Sequence, residues 1–102
     1  MPSVKIEKQC NLKPDDSFKR LSDLISNDND LRKLDPKYKT EFNPSTLQGS
    51  ADGSMFKAKM AVTANGSAGS TVQIIVDLPF HLTMIKGVVA DKLSRKLEEA
   101  LA

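Results

Sequence analysis

Polar and apolar positions alternate over the first ten residues. Val4, Ile6 and Cys10 fall on one side and Lys5, Glu7 and Gln9 on the other, with Lys8 interrupting the apolar row. A period of two predicts a half-buried strand. The period then changes. Pro14 suits the first helical position, where its missing N–H has no partner to lose, and Asp15 and Asp16 favour the positive end of a helix dipole. Phe18, Leu21, Leu24 and Ile25 follow at spacings of three and four and form one stripe. The stripe should continue at position 28, which is Asp28. It sits in Asn27-Asp28-Asn29-Asp30, whose side chains compete for backbone hydrogen bonds. The prediction is a helix that stops near Asn27, a solvated acidic run, and a short turn carrying Leu31 and Leu34 that ends at Asp35-Pro36. An uninterrupted helix to Leu34 is the alternative.

Further along, residues 38–42 predict a strand closed by Asn43-Pro44, and residues 46–48 resume it as a broken or bulged strand before the Asp52-Gly53 turn. Phe56, Ala58, Met60 and Val62 then alternate with Lys57, Lys59, Ala61 and Thr63. Residues 64–70, small and containing Asn65-Gly66, read as a loose hairpin loop. Val72, Ile74, Val76 and Leu78 mark the core side of another strand, with Gln73, Ile75 and Asp77 opposite. From about Met84, with Thr83 as a suitable N-cap, a long amphipathic helix sets Leu82, Ile85, Val89, Leu93, Leu97, Ala100 and Leu101 on one side. The order reads β-α-β-β-β-α. It predicts an α+β domain in which an N-terminal and a long C-terminal helix pack on one face of an antiparallel sheet of about four strands.

Composition narrows what such a domain can do. The chain has 102 residues, room for a single domain. That length allows one small core, but not a deep cavity as well. Fifteen Lys+Arg against 13 Asp+Glu leave a net charge of +2, so no strong field draws the chain to nucleic acid or to a membrane. A lone cysteine cannot form an internal disulfide, the first twenty residues hold no apolar run of the signal-peptide kind, and no stretch approaches a membrane span. A cytoplasmic location is therefore expected.

Catalytic chemistry is not apparent. The only nucleophile–imidazole pair is Cys10 with His81, and no third group stands by to orient it. The acidic run lacks the glycine and distal glutamate of a calcium loop, and Gly66 and Gly69 match no phosphate-binding pattern, so neither metal nor cofactor is expected. What remains is surface. Lys5, Lys57 and Lys59, with Gln73, predict a polar and mildly basic sheet face on which Ile75 stands out. Ile75 with Ala61 suits a self-complementary homodimer contact. Phe56 alternates with the lysines and points to the core, so the face lacks a stacking platform for bases and nucleic acid is an unlikely partner. The C-terminal stripe is expected to pack on the sheet, though Lys86, Lys92 and Lys96 beside it also suit a hydrophobic surface.

The segment Leu78-Pro79-Phe80-His81-Leu82-Thr83-Met84-Ile85-Lys86-Gly87, with the helix that follows, resembles the small bacterial polyhydroxyalkanoic acid system family. Members carry Leu-x-Phe-x-Leu-x-Pro-Phe-Lys-Gly there. Leu78, Phe80, Leu82, Lys86 and Gly87 match, Met84-Ile85 replaces Pro-Phe, and Leu93 and Leu97 continue the pattern as structural positions. The resemblance implies the same α+β fold and a link to polyhydroxyalkanoate granules or storage metabolism, with no catalytic residues to carry over. The expectation is a non-enzymatic binding protein whose partner is a second copy, another protein or a granule-like hydrophobic surface. One alternative is a carrier of fatty or hydroxyacyl molecules between sheet and helices, with Met55, Met60 and Met84 as adaptable linings. Another is a weak nucleic-acid- or ribosome-associated module.

Overall fold

A computed structural model describes residues 3–66 and 69–101. Strand β1 (Ser3–Cys10) leads into α1 (Pro14–Asn27) and the short α2 (Asn29–Leu34). Four strands follow: β2 (Lys39–Asn43), β3 (Gln48–Asp52), β4 (Lys57–Asn65) and β5 (Gly69–Asp77). A 3-10 segment (Phe80–Ile85) then joins α3 (Lys86–Leu101). The strands form one antiparallel sheet in the order β1-β5-β4-β3-β2. The first strand pairs with the last, and the chain between β1 and β2 must cross the sheet from one edge to the other. Four strand intervals of ~4.8 Å make that crossing roughly 19 Å. The 14 residues of α1, at ~1.5 Å each, span roughly 21 Å. The helix therefore bridges the sheet, packing over β2, β3, β4 and β5, while α3 lies along β1 and against α1.

The sheet has five strands because the broken strand expected over residues 38–48 is two strands joined by a reversal. Asn43 Oδ1 accepts from the Ser45 amide (3.0 Å), and Leu47 adopts φ 54°, which turns the chain back on itself. Across this hairpin Phe42 faces Gly49. A Cβ on Gly49 would lie 2.5 Å from Phe42 Cδ1, so the glycine leaves room for a ring that meets Phe18 of α1 edge-on at 6.1 Å. The β4–β5 hairpin is tighter than expected. Pairing runs up to Asn65 and Gly69, and Ser67 and Ala68 of the predicted loop lie outside the described residues.

The period-two pattern decides the core. Val4, Ile6, Ala58, Met60, Val62, Val72, Ile74 and Val76 are buried on the helix side, where Phe18, Leu21 and Ile25 of α1 and Leu93, Leu97 and Leu101 of α3 cover them. Lys8, at the interrupting position on that side, reaches past the sheet edge to Glu98 Oε1 of α3 (2.7 Å). Pro79 caps the 3-10 segment, and its carbonyl accepts the Leu82 amide at 2.9 Å. Thr83 does not cap α3. Its hydroxyl turns back to donate to the Phe80 carbonyl (2.7 Å), and the α-helix begins three residues later.

Candidate functional site

Helix α2 is too short to be stable by propensity and is held at both ends by buried carboxylates. At its start Asp28 caps it, accepting from the Leu31 amide (2.9 Å), and pairs with Lys96 of α3. Asn27 and Asn29 of the acidic run are exposed as a solvated helix end requires, but Asp28 is only 4% exposed and ties two helices together. At the far end Asp35 accepts from the amides of Met55 and Lys37 and from Ser54 Oγ, each at 3.1 Å. The Met55 and Lys37 amides hold its carboxyl below the ordinary 3.8, against the opposing effect of burial. This carboxylate is the reason for the Asp52-Gly53 turn: a Cβ at Gly53 would lie 2.2 Å from Asp35 Oδ2. Just beyond, the Tyr38 hydroxyl donates to the Ile25 carbonyl (2.6 Å), and Arg32 lies over its ring.

Fixed in this way, α2 stands beside the first half of α3 and leaves a cleft of about 250 Å³. Its walls are Leu31 and Leu34 of α2, Ile85 at the end of the 3-10 segment, and Val88, Val89 and Leu93 of α3. Lys33, Lys92 and Lys96 also line it. The combination is an apolar slot with three lysines in its lining, one of which, Lys96, pairs with Asp28. The cleft lies between two helices, not between sheet and helices as the carrier reading expected. None of Met55, Met60 and Met84 lines it: Met60 is in the core, and Met84 is 96% exposed.

The expected surface residues do share one face. Alternation puts Lys5, Ile75 and Lys59 in one cross-strand row that continues through Ser50 to Glu41. The adjacent row reads Asp77, Lys57, Asp52, Lys39, and on the other side Gln73 lies between Glu7 and Ala61. Four lysines thus meet four carboxylates, and the face is charge-balanced rather than mildly basic. Ser3 Oγ donates to Asp77 (2.7 Å) and Gln73 to Glu7 (3.3 Å), as expected of cross-strand neighbours in a polar layer. Of the C-terminal motif, Leu78, Leu93 and Leu97 are buried and Leu82 is half-buried, whereas Phe80, Lys86 and Gly87 face solvent.

Cys10 and His81 lie at opposite ends of the paired strands. Cys10 is opposite Ser70, and His81 follows Asp77, which is opposite Ser3. Seven strand steps of ~3.3 Å put Cys10 roughly 23 Å from the Asp77 end of β5, beyond which His81 lies. The Cys10 thiol instead meets the hydroxyls of Ser17 and Ser70, each at 3.2 Å. Burial opposes its ionisation, but these hydrogen bonds together with those to the backbone at Leu12 and Ser70 outweigh it and draw the thiol below 9.0. Among the described residues, no cluster of His, Cys, Asp and Glu has the makings of a metal site, and no helix is long and apolar enough to cross a membrane.

No protein-family model matches the sequence, and no curated protein matches it. Solved structures do. A START superfamily protein from Mycobacterium smegmatis superposes with a TM-score of 0.60 at 13% identity, covering 97% of this chain and 93% of that one. The di-domain ARO/CYC BexL from the BE-7585A biosynthetic pathway gives a TM-score of 0.69 at 13% identity over 99% of this chain, which spans 45% of BexL. The Zhui aromatase/cyclase from Streptomyces sp. R1128 gives 0.52 at 9% identity, over 98% of this chain and 83% of that one. The likeness is one of fold. It extends over nearly the whole chain.

Proposed function

We propose that this protein binds a small amphipathic carboxylic acid, of fatty or hydroxyacyl type, in the cleft between α2 and α3, and acts by binding without catalysis. The carrying observation is the pairing of an apolar slot with lysines in its lining. A carboxylate seated beside Lys33 and Lys92 keeps its charge compensated while the chain leaves water. The slot is smaller than the ~300–1,000 Å³ of sites that take drug-sized ligands, which favours a short acyl chain over a polycyclic molecule. Proteins named for aromatase/cyclase activity share the fold, which supports a small-molecule reading. The binding reading draws support from Asp28, whose two oxygens are already committed to the Leu31 amide and to Lys96. The polyhydroxyalkanoate connection of the family that the C-terminal segment resembles favours hydroxyacyl members of the series.

Calorimetry with straight-chain acids and their 3-hydroxy analogues tests this. Each added methylene buried contributes ~0.8 kcal/mol, so affinity should rise about fourfold per carbon and then level off when the slot is full. Val89→Trp, which fills the slot from its α3 wall, should abolish the series while leaving the fold intact by circular dichroism. A flat response to chain length, or full binding by Val89→Trp, overturns the proposal.

A further inference from the structure

Three large apolar side chains are exposed within nine residues: Phe80 at 76%, Met84 at 96% and Val88 at 52%. Val88 also lines the cleft, so along the chain the exposed apolar positions run from the start of the 3-10 segment to the cleft wall. The ionisable groups of residues 79–90 are His81 and Lys86, both exposed, with no carboxylate before Asp91. Lys33 of α2 and Lys92 extend the cationic border on the cleft side. The opposite sheet face, with its alternating lysines and carboxylates, has no such bias.

We propose that this end of the molecule docks on an anionic lipid surface, with Phe80 and Met84 entering the interface and Lys86 meeting the headgroups. The charge pattern selects that occupant. A second copy apposed across a two-fold axis sets the patch against itself and brings Lys86 toward Lys86, which opposes association. An anionic bilayer supplies both an apolar layer for the side chains and negative charge for their cationic border. The proposal goes beyond acid binding and is separable from it. A protein that binds short acids and ignores vesicles loses the docking alone.

The chain has no tryptophan, so Phe80→Trp is a reporter at the patch and Ile75→Trp a control on the sheet face. With phosphatidylglycerol-containing vesicles, the Phe80→Trp emission should shift to the blue while Ile75→Trp stays unchanged. Phosphatidylcholine vesicles should give little shift, and salt should reverse the effect. Lys86→Gln in the Phe80→Trp background should weaken partitioning about fivefold, the effect of one cation at an anionic surface. No shift at Phe80→Trp, or equal shifts from both reporters, overturns the proposal. So does a blue shift on concentrating the protein without vesicles, because the occupant is then a second copy.

Discussion

One apolar row, Ile85 at the end of the 3-10 segment and then Val89-Leu93-Leu97-Leu101 of α3, meets different surroundings in its two halves. Leu93, Leu97 and Leu101 are buried in the core formed by α1 and β1. Ile85 and Val89 are only half-buried, and Val88 beside them is more than half exposed, because their neighbour is a six-residue helix held off by Asp28 and Asp35. A helical stripe shows which side of a helix is apolar. What lies opposite decides whether that side becomes core or binding surface.

The largest expected effect tests this division directly. Leu97→Ala removes a fully buried side chain and should cost about 2–5 kcal/mol in urea unfolding, enough to threaten the whole fold. Leu93→Ala belongs to the same class. Val88→Ala, one helical half away, should stay within about 0.5 kcal/mol. Equal costs at Leu97 and Val88 would mean that the first half of α3 is packed as tightly as the second.

Why the core half was legible in the sequence and the open half was not follows from the same contrast. Strands β1, β4 and β5 and helix α1 are readable because each presents a clear period to the shared core, broken only by Lys8 in β1. The β2–β3 reversal reads in the sequence as a broken or bulged strand because its signals are an Asn43 side-chain bond and a positive φ at Leu47, a residue type that rarely adopts one. The cleft depends on Asp28, and an aspartate among Asn and Asp residues carries no local sign that it is buried. Its partner, Lys96, lies 68 residues away, a pairing that only the tertiary structure reveals. One clue was available: Asp28 occupies the place where the α1 stripe called for an apolar residue.

That residue gives the next prediction, at the boundary between the two halves. Asp28→Ala removes the α2 cap, a loss of about 0.5–2 kcal/mol, and removes the carboxylate that pairs with Lys96. Asp28→Asn retains a capping oxygen and loses the ionic attraction, so it should cost less. Hydrogen exchange should show α2 amides losing protection in both variants while the amides around Leu97 keep theirs. Equal loss at both places would mean that the cleft wall and the core open as one unit.

The smallest effect appears only in acid, at the other end of α2. The folded protein holds the Asp35 carboxyl below 3.8, so as pH falls the unfolded chain takes up this proton first. The stabilisation from Asp35 is therefore complete well above 3.8 and is lost as pH falls through the depressed folded value. Its bonds join α2 to the β3–β4 turn and not to the core, so the first consequence should be local. Protection should fall in α2 and around Met55 at a pH where the second half of α3 is still closed. Asp35→Asn should remove this pH dependence and show weakened protection at neutral pH as well. If acid instead opened α2 and the Leu93–Leu101 half together in the wild-type protein, the contrast would be one of exposure alone and not of stability.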